Sequence, residues 1–526
     1  TSIVFGTGAL GAVVADFDSI ALESRVPGGA WAPVAIQDPG FEGVWVGGWM
    51  TAGNSKRAVV TRPSDQAPEG KHFLRVAAPP DVVSTTELYP AGAPISGASI
   101  DIDLGTGLKA RVPLALSDAD ASANAANPAL RGLQSALAAL PEAPPSTDLD
   151  TRLADTVVAW NVFRHFYPYW KEAGVDWNAR LVPLLDDARK AATREQHRDA
   201  LRRLVAEIGD GHGSVNDRRN TSPRTTVPIQ LRVVEKRVVV TASAAPADVP
   251  VGAVLTTIGR VPAEKRLDDL TQLASGTPQW RQTRALNEMI VCTQGSPVTL
   301  TVDAGAGPRS ATLPCGGTQP TDEKRPDPVS ELRPGIWYVD LTRARAQQLT
   351  AAIGTLSGGR GVVFDVRGYP TDAGAAILPH LIGAAEQDRW MHVGKLVGPN
   401  FDVAAWEDLG WNVQPASPRI GGRAVFLTDG RAISYAESVM GYVADRKLGT
   451  IIGAPTAGAN GNVAVFPVPG GFTIAFTGMR VTRHDGSSPH HLVGIQPDIP
   501  LAPTIAAIRA GRDELIERAI SVIEQK

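Results

Sequence analysis

From Gly335 to about residue 505 the chain alternates strand-like apolar runs with helical stretches, and this alternation constrains the fold more than any other feature. The runs are Gly335–Leu341, Gly361–Val366, Arg423–Thr428 and Leu448–Gly453. Helices are expected from about Arg343, Asp372 and Tyr435, and a β-rich segment over Val463–Val481. Strands that alternate with helices build an α/β layer, whose reacting residues sit in loops at strand ends.

The remaining length demands more than one core. Single cores stop growing at roughly 250–300 residues, and this chain has 526. A net charge of −3 gives no overall attraction for nucleic acid or an anionic membrane. Charge, Gly or Pro interrupts every apolar stretch before the roughly 18–20 residues needed to cross a bilayer. The start at Thr1, with no basic stretch leading into an apolar run, suits either a chain whose leader has been removed or one merely trimmed at its start, and a periplasmic or secreted location is expected. Cys292 and Cys315 bracket two strand-like runs, Pro297–Val302 and Arg309–Leu313. A hairpin there brings them together as a disulfide, and two buried thiols are the alternative.

The expected organisation is multidomain α/β. Residues 1–117 read as an all-β, jelly-roll-like sandwich, with short alternating runs such as His72–Val76 and Ser99–Leu104. Within it, the aromatic stretch Asp38–Trp49 resembles the opening of carbohydrate-binding jelly rolls, which makes Trp45 and Trp49 candidate glycan contacts. The plainer reading is that these aromatics fill the sandwich core. Residues 118–148 turn Ala- and Pro-rich, as a short helix and stiff linker. In 149–222, Leu153, Val157, Trp160 and Phe163 recur at helical spacing after Asp150 or Thr151 as cap, and a second helix spans about Arg194–Ile208. Residues 223–316 are β-rich with one helix near Ala263–Ala274, the size and order of a PDZ-like module. Residues 317–334 read as a linker, and 335–526 as the α/β catalytic core.

Four segments carry candidate chemistry. In Arg423–Ser438 an apolar strand passes through a tight turn into a helix headed by Ser434. Free amides at such a junction favour a developing oxyanion. Ser434 and Glu437 also match a capping box, a purely structural pattern. Val362–Gly368 is a strand ending in glycine, so Gly368 and the Tyr435 amide are candidate oxyanion donors. Arg367 and Asp365 are otherwise a local ion pair at the sheet edge. His212 lies on the Gly-rich turn Asp210-Gly-His-Gly, where packing does not account for it. Ile452–Gly458 forms a turn after a strand, and Gly494-Ile-Gln-Pro-Asp498 follows.

Taken in order, Asp-x-Arg-Gly, Ser-x-x-Glu, Gly-x-Pro-Thr-x-Gly and Gly-Ile-x-Pro-Asp-Ile resemble the C-terminal processing (tail-specific) serine peptidases and the related tricorn core. The resemblance covers roughly 150–222 and 330–505, with the PDZ-like insert between. It implies peptide-bond hydrolysis through an acyl-enzyme on a crotonase-like core, without cofactor or metal. The nucleophile position falls on Ser434. The lysine of the family's Ser–Lys branch is Ala459 here, whereas the tricorn-like branch takes its base from the region of His212. That branch's serine before the histidine is Gly211 here, and its later glutamate falls in the run His490–Val493. The acid orienting His212 is left among Asp210, Glu437 and Asp498, with Glu437 favoured. His490 and His491 lack metal-ligand spacing and read as surface imidazoles.

Two other functions fit the same residues. Acyl chemistry does not fix the acyl donor, so a non-peptide ester or amide is one alternative. A catalytically inactive peptide- or glycan-binding protein is the other.

Overall fold

The computed structural model describes the strands at 13–17, 22–24, 32–34, 59–61 and 74–78, then residues 94–105, 107–139, 148–220, 224–316, 323–396, 398 and 403–525. Contacts divide the chain into two compact units, Thr1–Ala91 and Gly92–Lys526. In the first, Leu74–Ala78 is the middle strand of an antiparallel sheet with Val13–Phe17 and Val59–Thr61, and Leu22–Ser24 pairs with Ala32–Val34. Trp45 and Trp49 lie outside the described residues. The hairpin Ser99–Gly105/Leu108–Pro113 falls in the second unit, so the boundary lies before it rather than at residue 117.

The second unit is organised around a six-stranded sheet, in the order Val329–Arg333, Ile336–Asp340, Gly361–Asp365, Arg423–Thr428, Thr450–Gly453 and Ile499–Pro500. The first pair is antiparallel and the rest are parallel. The expected linker 317–334 therefore ends in an edge strand. Gly361–Asp365 is buried along its whole length, as a central parallel strand covered on both faces requires. Its Val362 and Phe364 join Val339 and Phe426 beneath helices Ala346–Ser357 and Tyr435–Asp445. On the other face, Tyr338, Val363, Val425, Leu427 and Ile452 pack against helix Glu514–Glu524. Each such fully buried Val, Leu or Phe contributes about 1.5–3 kcal/mol.

Around this layer sit two further bodies. Helices Leu149–Phe166, Trp177–Lys190 and Arg194–Ala206 cover a small sheet ordered Val463–Pro467, Phe472–Thr477, Ser214–Asp217. Asp148 caps the first helix, accepting from Thr151 N–H at 3.1 Å, so it starts earlier than its apolar period suggests. The insert sheet runs Ile229–Val234, Arg237–Ser243, Val254–Ile258, Pro297–Asp303, Pro308–Pro314, with helices Ala263–Gln272 and Pro278–Met289. Cys292 and Cys315 form a disulfide, with Cα atoms 5.9 Å apart. Among the described residues no helix is long and apolar enough to cross a membrane.

Candidate active site

Parallel strands deliver their C-terminal ends to one edge of the layer, and register decides what meets there. Asp365 is opposite Asp340 and Leu427, and Thr428 is opposite Gly453. The turn after Thr428 carries the chain into helix Tyr435–Asp445, with Ser434 at its head. Ser434 has φ 59° and ψ −113°, a conformation that costs a side chain with a Cβ roughly 1–3 kcal/mol. Its N–H is held by the Ala459 carbonyl at 2.9 Å and by Glu437 Oε2 at 3.3 Å. The Glu437 N–H donates to the Ser434 main-chain carbonyl at 2.8 Å.

Glu437 is fully buried. Its carboxylate accepts from Thr456 Oγ1 at 2.6 Å and from the N–H groups of Gly458 and Ala459 at 2.7 and 2.8 Å. Burial pushes its carboxyl up to about 7, against the opposing effect of these donors. Its oxygens thus tie the 456–459 loop to the head of the helix. None of its hydrogen bonds goes to His212, contrary to the expectation that it orients the histidine. Asp498 is also committed elsewhere, accepting from the Ile451 N–H at 2.8 Å.

The carboxylate beside His212 is Asp210. Ser214 pairs with Ala475 in antiparallel register. Continuing that register two residues back sets His212 opposite Thr477, and their side chains meet, Nδ1 to Oγ1, at 2.7 Å. Thr477 Oγ1 donates to Asp210 Oδ1 at 2.7 Å, and Asp210 also accepts from the N–H groups of His212 (3.0 Å) and Thr477 (2.5 Å). With its proton given to Asp210, the Thr477 hydroxyl accepts from Nδ1–H. That selects the tautomer in which Nε2 has the lone pair. Burial lowers the His212 pKa; the Asp210 charge works against this and the Arg284 charge adds to it.

Ala459 links the two halves. A Cβ on Gly211 would come within 2.7 Å of the Ala459 Cβ, so the histidine turn lies directly on the loop whose carbonyl holds Ser434. The insert packs against both parts. From the start of its helix Pro278–Met289, Thr277 Oγ1 donates to the Ala457 carbonyl (2.6 Å), Gln279 to the Thr456 carbonyl (2.8 Å) and Trp280 Nε1 to the Gly211 carbonyl (2.7 Å). One turn further along, Arg284 donates to the Gly213 carbonyl.

The two expected oxyanion donors differ. Tyr435 N–H, at the first helical position, has no acceptor among the described residues. Gly368, at φ 146°, donates its N–H to the Val366 carbonyl at 2.9 Å. The neighbouring Arg367 and Asp365 are buried rather than set at an exposed edge, and Arg367 also reaches Asp513. His490 and His491 are likewise buried, not on the surface. The His491 ring stacks on Tyr169 at 3.6 Å between centroids and meets the Tyr167 hydroxyl at 2.9 Å. Burial pushes its pKa down to about 4.

Residues 382–501 match the family described as Peptidase family S41. No curated protein sequence matches the chain. Among solved structures, mature CPAF complexed with lactacystin is similar with a TM-score of 0.59 and 14% identity, covering 72% of this chain and 98% of that one. Mature CPAF alone gives 0.57 and 14%, with 72% and 97% covered. The photosystem II D1 C-terminal processing protease gives 0.41 and 19%, with 68% and 97% covered. CPAF shares the fold, and the matched segment contains the Ser434 junction and the loop that holds it. Residues 382–501 thus carry a domain like that of peptidase family S41, on a fold shared with CPAF.

Proposed function

We propose that the chain is a serine peptidase that cleaves peptide bonds through an acyl-enzyme formed on Ser434, with His212 as general base. The observation that carries this reading is the Asp210–Thr477–His212 relay, which leaves Nε2 as the acceptor and lies against the loop holding Ser434. His212 takes the Ser434 proton during attack on the carbonyl carbon and returns it to the leaving amine; water then repeats the sequence to release the acid. Asp210 positions the ring through Thr477, and Glu437 fixes the loop rather than the base. Tyr435 N–H is the oxyanion donor already free, and Gly368 joins it once its N–H turns from the Val366 carbonyl.

The insert supports a PDZ-like role in presenting a chain end by strand addition. Its disulfide supports an oxidising compartment, periplasmic or extracellular.

The test compares the parent with Ser434→Ala and His212→Ala on casein and on a fluorophosphonate probe. Each variant is expected to lose about a thousandfold or more in turnover, and Ser434→Ala to lose labelling altogether. Full activity in either ends the assignment. Parallel ester substrates separate peptide from non-peptide hydrolysis.

A further inference from the structure

A cavity of about 480 Å³ lies between helix Arg194–Ala206, the insert and the strand Ser214–Asp217. That strand is the last in its sheet, so one edge is unpaired. Arg218 N–H donates to the Gly471 carbonyl, and hydrogen-bonded pairs alternate along an antiparallel ladder. Asn216 and Ser214 therefore bond to the neighbouring strand, while the main-chain groups of Val215 face the cavity. Neither the N–H nor the carbonyl of Val215 has a partner among the described residues.

The charges around this edge are unbalanced. Both carboxylates that line the cavity are already taken: Glu288 by Arg202 at 2.6 Å and Asp217 by Arg194 at 2.8 Å. Arg198 is paired with Asp199 at 2.8 Å. Arg224 and Arg284 also line the cavity, and neither forms an ion pair among the described residues. Arg284 is half-buried; burial lowers its pKa, the Arg202 charge adds to this, and the Glu288 and Asp210 charges work against it.

We infer that this cavity is a second peptide site, separate from the catalytic pair, that takes an extended segment bearing acidic side chains. The segment adds as a strand along Ser214–Asp217, exchanging hydrogen bonds with Val215, and its carboxylates meet Arg224 and Arg284. Unpaired edge groups supply affinity that ignores sequence, and the two arginines supply the preference for acidic residues. The strand begins two residues after His212, and Arg284 holds the intervening Gly213 carbonyl, so an occupant sits directly behind the base.

The probe is a fluorescein-labelled, C-terminally amidated peptide of alternating Val and Glu. Its binding is read by anisotropy on the full chain carrying Ser434→Ala, so that it is not cleaved. Saturable binding is expected, weakened about tenfold by Arg224→Gln and again by Arg284→Gln. N-methylation of alternate probe amides should weaken it as much, and a Val/Lys probe should not bind. Arg224→Gln in the active parent should leave hydrolysis of a short neutral peptide unchanged. Absence of binding, binding as tight as the parent's in either arginine variant, or undiminished binding of the N-methylated probe overturns the site. Binding that persists in a parent unable to hydrolyse peptides sinks the catalytic reading alone.

Discussion

At Ser434 two demands meet in one residue. The backbone angle at the head of the helix suits glycine better than serine, and the hydrogen bonds that the Ser434 N–H donates to Ala459 and Glu437 hold it there. Ser434→Gly should therefore be more stable than Ser434→Ala, by about 1 kcal/mol in chemical denaturation. Equal stability would show that the angle carries no strain. A second consequence concerns pH. His212 must be neutral to accept a proton, and burial with Arg284 lowers its pKa from the ordinary 6.5. The acid limb of kcat/KM should thus have its midpoint below 6.5, and Arg284→Gln should move it upward by removing a positive charge. A limb at or above 6.5 in the parent contradicts this. The place of Ser434 at the head of a helix and of His212 on a Gly-rich turn was readable from the sequence, because an apolar strand and Gly430 precede the one and Gly211 and Gly213 flank the other. Asp210 was only one of three candidate acids, since its partner Thr477 arrives by strand register from 267 residues further along.

The elements were most legible where a run is apolar and bounded by glycine or proline. Strand Arg423–Thr428 falls where the sequence puts it, and Pro297–Asp303 runs one residue beyond the expected Pro297–Val302. Helices Trp177–Lys190 and Pro278–Met289 were missed. The first has Pro183 in its interior, and the second is mostly polar, with its buried Ala285, Leu286 and Met289 confined to the last two turns. A signal existed for the second: Thr277 followed by Pro278 is a cap with proline at the first helical position. This omission hid Trp280 and Arg284, the insert's contacts with the histidine turn. The disulfide acts at the same scale. It joins strand Val291–Thr293, which pairs only with Arg224–Thr226 among the described residues, to the end of strand Pro308–Pro314 across 23 positions. Closing a loop of that length is worth about 3 kcal/mol. The Cys292→Ser/Cys315→Ser double variant should lose roughly that in the unfolding free energy of the insert, and an unchanged value would mean that the strands alone hold it.

What joins the bodies is a half-buried charge network that none of the separate segments announces. Arg232, on the first strand of the insert sheet, pairs with Asp429 in the turn before Ser434 and with Glu323 at 3.0 Å. Arg431 binds both carboxylates, and Arg325 extends the chain of charges to Asp340 and Asp365 beneath the sheet edge. Burial by itself would raise the Glu323 carboxyl, but the Arg232, Arg431 and Arg325 charges outweigh it and hold it at about 2. A carboxylate depressed on folding stabilises the native state above its unfolded pKa of 4.5, and that contribution is lost as pH falls through the folded value. The window is therefore pH 4.5 to 2, and the difference corresponds to about 3 kcal/mol. Hydrogen exchange of strand Ile229–Val234 should lose protection across that window in the parent. In Glu323→Gln, which has no proton to gain there, protection should start lower and fall less steeply. Parallel pH dependence in the two proteins would show that the insert is held to the core by packing and not by this network.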